Sequence, residues 1–151
     1  MSKLTKMMLL PVSLTLGLAG CMGIGPNKTY VLTTTSFNYA PNYQAYMVMM
    51  NGEEMGGGFG GATKRSGVIL GQQNITWGEG NSDRKHKAIN VVNLTKEDLK
   101  NKRYLAVHLY PDDSVEITTS NDLPDPTQKG LDWMKHLREQ NKQLLNKEYK
   151  K

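Results

Sequence analysis

Two short runs in which apolar and polar residues alternate, Arg103 to Tyr110 and Val115 to Ser120, constrain the possible folds of this chain more than any other feature. RYLAVHLY sets Leu105, Val107 and Leu109 on one side, and VEITTS does the same with Val115 and Ile117. A period of two is the pattern of a strand with one face on a core. Pro111-Asp112-Asp113-Ser114 between the runs is a four-residue turn in which proline presets φ. The pair is therefore predicted as an antiparallel hairpin. The same alternation places His108 opposite the leucines, as a surface or partner-facing residue.

Other segments repeat the theme. Tyr30 to Ser36 and Tyr43 to Met50 are β-branched, aromatic or apolar, and the turn chemistry of Asn38 to Asn42 separates them. Asn51-Gly52 supplies a tight-hairpin turn because both residues tolerate positive φ. Ser66 to Leu70, Gln73 to Trp77 and Ala88 to Leu94 read as further strands, and Gly78 to Lys87 as a solvated polar loop. Thr95, three residues before Asp98, is predicted to cap a turn or two of helix. After the Pro/Asp-rich break of Asn121 to Lys129, residues from Gly130 or Leu131 to about Tyr149 carry Leu131, Met134, Leu137, Leu144 and Leu145 near one helical face. Asn141 interrupts that stripe, so docking on a sheet is expected rather than a coiled coil, with Trp133 off the docking line. The fold class is mainly β: an antiparallel sheet or β-sandwich with a C-terminal amphipathic α-helix.

The first twenty residues are of a different kind. Lys3 and Lys6 precede an apolar run from Met7 to Leu18, interrupted by Pro11, Ser13 and Thr15 and free of charge. That is the plan of a secretory leader, too short for a permanent membrane span. Leu18-Ala19-Gly20-Cys21 closes it and resembles the lipobox of bacterial lipoproteins, which implies cleavage before Cys21 and acylation of its sulfur. Three regions follow: a signal peptide over 1–20, a lipidated tether over 21–29, and a single β-rich domain over 30–151. Acyl chains contribute about 0.8 kcal/mol per buried CH₂, so a multiply acylated cysteine anchors stably. Met22 stands where lipoproteins kept in the inner membrane carry aspartate, and the resemblance therefore implies an outer-membrane anchor facing the periplasm. Cys21 is the only cysteine. Once acylated it leaves no thiol for a disulfide, a metal or catalysis.

The formal charge is +5, and loss of Lys3 and Lys6 with the leader leaves +3 on the mature chain. Such a balance mildly favours an acidic partner or anionic lipid and does not point to nucleic acid. Gly56 to Gly61 holds five glycines around Phe59. A phosphate loop would continue with Lys-Ser or Lys-Thr, but Ala62-Thr63-Lys64-Arg65 follows. The loop is expected to be flexible and to present Phe59, Lys64 and Arg65 to a partner, or to be a connection without a role. Arg84, Lys85 and Lys87, with His86, form a basic patch suited to steering an acidic partner or touching lipid headgroups, or simply a solvated loop. His86, His108 and His136 have no metal-ligand spacing, and no serine has a nucleophile-elbow context. The expectation is therefore no catalytic, metal or cofactor-binding residues.

The lipobox, the Asn38-Tyr39 pair, the glycine-rich loop, Ile75-Thr76-Trp77 and the segment from Val107 to Ile117 together resemble a family of small bacterial lipoproteins. Members are often encoded beside phospholipase effectors of the type VI secretion system and are taken to be their immunity proteins. The resemblance implies a membrane-tethered protein that binds a lipase effector and neutralises it by occlusion. Relatives often carry adjacent cysteines after the glycine loop, where this chain has Thr63 to Ser66, so no disulfide carries over. Two other readings stand beside it: a structural or assembly lipoprotein of the envelope or of a secretion apparatus, and an envelope enzyme.

Overall fold

The structure, a computed structural model, describes residues 28–150. The expected leader, the Leu18–Cys21 motif and residues 21–27 of the expected tether lie outside the described residues.

In chain order the elements are β1 (Thr29–Asn38), β2 (Ala45–Met50), β3 (Glu53–Glu54), β4 (Lys64–Ile69), β5 (Gly71–Gln73), β6 (Ile75–Glu79), β7 (Lys85–Lys87), β8 (Val92–Leu94), α1 (Lys96–Leu99), β9 (Tyr104–Leu109), β10 (Val115–Ser120) and α2 (Gln128–Glu148). They form sheet I in the order β10-β9-β1-β4, sheet II in the order β3-β2-β6-β7, and a two-stranded β5-β8 sheet. The chain is mainly β with a C-terminal helix, as its periodicity predicts. The expected hairpin is β9–β10, in register from Leu109 opposite Val115 to Tyr104 opposite Ser120. Asn51 and Gly52 both adopt positive φ, 52° and 82°, between β2 and β3. Thr95 closes a reciprocal capping box with Asp98 at the start of α1.

One pairing departs from the antiparallel expectation. β1 lies beside β9 in parallel, Thr33 next to Tyr104 and Asn38 next to Leu109. The strand-to-strand period cannot show direction, because it is the same in both ladders. Gln73 to Trp77 is also two strands in two sheets, β5 and β6, and within Ala88 to Leu94 only Val92–Leu94 is strand.

Sheet I is covered on both faces. Leu32, Val68, Leu105, Val107, Leu109 and Val115 meet Val48, Met50, Ile75 and Trp77 of sheet II in the main core. On the other face Phe37, Tyr39, Ala106 and Tyr110 pack against Trp133 and Met134 of α2. The molecule is thus layered as helix, sheet I, sheet II. Trp133 is half-buried and stacks on Tyr110 at 6.0 Å between ring centroids. Only the first turns of α2 dock, and residues 138–150 are exposed throughout.

This second layer corrects the expectation for His108, which is fully buried. Its Nδ1 lies 2.8 Å from Tyr39 Oη and its Nε2 2.8 Å from Thr118 Oγ1. Tyr39 Oη accepts from the Thr127 N–H at 2.8 Å, so hydrogen-bond accounting makes it the donor to Nδ1 and leaves the ring proton on Nε2. Thr127 caps α2 by accepting from the Gly130 N–H, and Tyr110 Oη donates to Glu116 at 2.6 Å. Gly130 sits against the Tyr39 ring so closely that a Cβ there would lie 2.4 Å from it.

Candidate functional site

The glycine loop packs along β1. β4 pairs with β1 only from Thr29 to Thr34, and beyond that point the loop lies along β1. Thr35 Oγ1 donates to the carbonyl of Ala62 and Ser36 Oγ to that of Gly56, at 3.0 and 2.7 Å. Gly56 cannot carry a side chain, since a Cβ would come within 2.3 Å of the Thr34 carbonyl oxygen. Phe59, held at φ 54°, packs edge-on against Phe37 and Tyr39 with centroids 5.2 and 5.7 Å away. It therefore closes the end of the aromatic layer under α2 while remaining partly exposed.

Lys64 and Arg65, expected on that loop, belong instead to β4, and Lys64 Nζ pairs with Glu54 Oε2 at 2.6 Å. The polar stretch Gly78 to Lys87 is also more ordered than its composition suggests. Its first two residues end β6, and Lys85–Lys87 form β7 with His86 turned inward. His86 stacks on Trp77 and Tyr43 with centroids 5.3 and 4.9 Å away, and Trp77 Nε1 donates to Tyr43 Oη at 2.9 Å. His86 Nδ1 lies 2.8 Å from Asp113 Oδ1 and its Nε2 2.9 Å from Glu79 Oε1. The cluster ties β7 to β6 and to the β9–β10 turn, where Asp113 takes φ 67°.

Above this clamp lies an apolar surface beside the basic patch. Cross-strand pairing sets Met49, Thr76 and Lys87 in one row on the outer face of sheet II, and Tyr46, Gly78 and Lys85 in the next. Together with Met47 they line a groove of about 480 Å³. Gly78 supplies no side chain, which leaves the floor concave. Tyr46 and Met47 are 59% and 50% exposed, although both are large and hydrophobic. Met47 occupies a bulge in β2 at φ 47°, a left-handed conformation that costs a non-glycine residue about 1 kcal/mol.

Of the candidate contacts, Lys85 and Lys87 rim this groove and Arg84 stands beside it, with its Nε 3.8 Å from Glu79. Phe59 lines a different cavity, with Asn38, Tyr43 and Gln44, so the structure does not join it to the lysines in one site. Sequence reasoning missed Tyr46, Met47 and Met49. Alternation sets Met47 and Met49 opposite the buried Val48 and Met50, and the bulge exposes Tyr46 beside them. No helix among the described residues is long and apolar enough to cross a membrane. No group of three metal-ligating side chains occurs among them either.

Comparison of the chain with known protein families, characterised proteins and solved structures finds no match.

Proposed function

We propose that this chain is a lipid-anchored envelope protein that binds a phospholipase toxin and neutralises it by occlusion, with no chemistry of its own. One observation supports the binding: an exposed, strained apolar groove of Tyr46, Met47 and Met49, rimmed by Lys85 and Lys87 on the clamped sheet II. Contiguous apolar surface with a charged rim is the usual mark of a protein contact. The anchor rests on Leu18–Cys21, and the toxin as partner rests on the resemblance to immunity lipoproteins. An acidic protein surface fits the lysine rim.

The test uses the lipase encoded beside this gene and the mature chain with Met47→Gly. Wild type is expected to co-elute with the lipase and inhibit it. Met47→Gly relieves the left-handed backbone, so its stability is expected to hold or rise by about 1 kcal/mol, while binding falls about tenfold. Equal binding by the variant removes the groove from the interface. Failure of the wild-type chain to bind or inhibit the lipase overturns the reading, and co-purification with an envelope complex instead identifies an assembly lipoprotein.

A further inference from the structure

β7 is the last strand of sheet II, and its far side is open in the strand order. The phase of its hydrogen bonding decides what it offers there. The Glu79 N–H donates to the Arg84 carbonyl and the Ala88 N–H to the Ile75 carbonyl, both at 3.0 Å. His86 pairs with Trp77 in the same phase, whereas Lys85 opposite Gly78 and Lys87 opposite Thr76 occupy the intervening pairs. In an antiparallel ladder the N–H and C=O groups of those intervening residues point away from the partner strand. Lys85 and Lys87 therefore present two N–H and two C=O groups outward along the edge, while their side chains rim the groove.

Open edges are normally shielded, and lysine is a common shield because it repels a like-charged strand. Here Arg84, Lys85 and Lys87 oppose the addition of β7 from a second copy, but the same charges attract an acidic strand. Among nearby carboxylates Glu79 is committed to His86, which leaves Asp83 as the acid in the preceding loop. The edge is also preorganised, since the Asp113–His86–Glu79 contacts and the Trp77 and Tyr43 rings hold its middle residue. An incoming strand thus pays little to order it.

We infer that β7 receives an extended, acidic segment of the protein partner by strand addition, with acidic side chains of that segment in the rows of Lys85 and Lys87. This mode rests on the proposed binding function. In it the main chain supplies affinity and the Lys85 and Lys87 side chains select an acidic sequence.

The test titrates the full mature chain with a capped eight-residue peptide alternating glutamate with valine and phenylalanine. A second peptide of the same sequence is N-methylated at alternate residues, which removes ladder hydrogen bonds without changing charge. The unmethylated peptide is expected to bind, and either methylation or Lys87→Pro to weaken binding about tenfold, the worth of one or two hydrogen bonds. Lys87→Ala removes only the charge and is expected to weaken it two- to threefold. The proline stands where the N–H faces outward, so the β6–β7 ladder is kept. Equal binding of both peptides overturns strand addition, as does no binding of either. Binding of phosphatidylglycerol vesicles in place of peptide overturns it in favour of a lipid surface. If Lys87→Pro inhibits the lipase as wild type does while Met47→Gly fails, the edge is not used and the groove stands. If wild type itself does not bind the lipase, the functional reading fails.

Discussion

Burial holds the His108 imidazole well below its usual titration range, at about 4, against a weaker upward pull from Glu116. Both ring nitrogens are used by neutral hydroxyl partners, Tyr39 and Thr118, so the fold is built for the uncharged ring. A histidine with a depressed folded value destabilises the native state on protonation. Its contribution is fully present above the unfolded value near 6.5 and is lost progressively as pH falls from there to about 4. The difference corresponds to about 3 kcal/mol. Urea unfolding of the wild type is expected to show that loss between pH 6.5 and 4. His108→Gln should flatten the dependence across that window, although it lowers stability at neutral pH. An unchanged slope in the variant would assign the acid response to other groups.

At the scale of elements, the docking of α2 turns on Gly130. Alanine is the better helix former by about 1 kcal/mol, and an exposed site would gain that amount. At Gly130 the added Cβ would fall 2.4 Å from the Tyr39 ring, which His108 and Thr127 hold from two sides. Overpacking of this kind outweighs the propensity gain. Gly130→Ala is expected to lose about 2 kcal/mol net by urea unfolding, with the near-ultraviolet signal of the Trp133–Tyr110 stack reduced. The residues that govern this layer show how far the sequence could be read. Alternation along β9 correctly separates Leu105, Val107 and Leu109 from His108, yet alternation assigns faces and not what covers them. The helix stripe through Leu131, Met134 and Leu137 announces an amphipathic helix, but its far end at Leu144 and Leu145 is left in solvent because the sheet beneath does not extend that far. The hairpin, the Asn51-Gly52 turn and the Thr95 cap were legible because each depends on local chemistry. The groove was not, because it depends on a bulge at Met47 and on Gly78 lying across from Tyr46. Nor did local chemistry disclose the His86 clamp, which joins residues from three separate segments.

For the molecule as a whole, the two cores share sheet I, and β1 and β9 are its inner strands. β9 is paired on both sides along its length. β1 is paired with β4 over Thr29 to Thr34 and with β9 over Thr33 to Asn38, and both strands are covered above and below. Amide hydrogen exchange is expected to be slowest in β1 and β9, intermediate in β6, and fastest across residues 138–150, where no side chain is buried. Faster exchange in β9 than in the distal helix would contradict the layering. The parallel joint between these two strands has a further consequence, for the order in which the chain becomes structured. β1 is the first strand in chain order among the described residues, but its parallel partner runs from Tyr104 and lies beyond eight other elements. Closing so long a loop precedes its reward, which slows folding. Until β9 arrives, the strand destined for the centre of the protein is an unprotected edge, and the half-made chain depends on being kept from its neighbours.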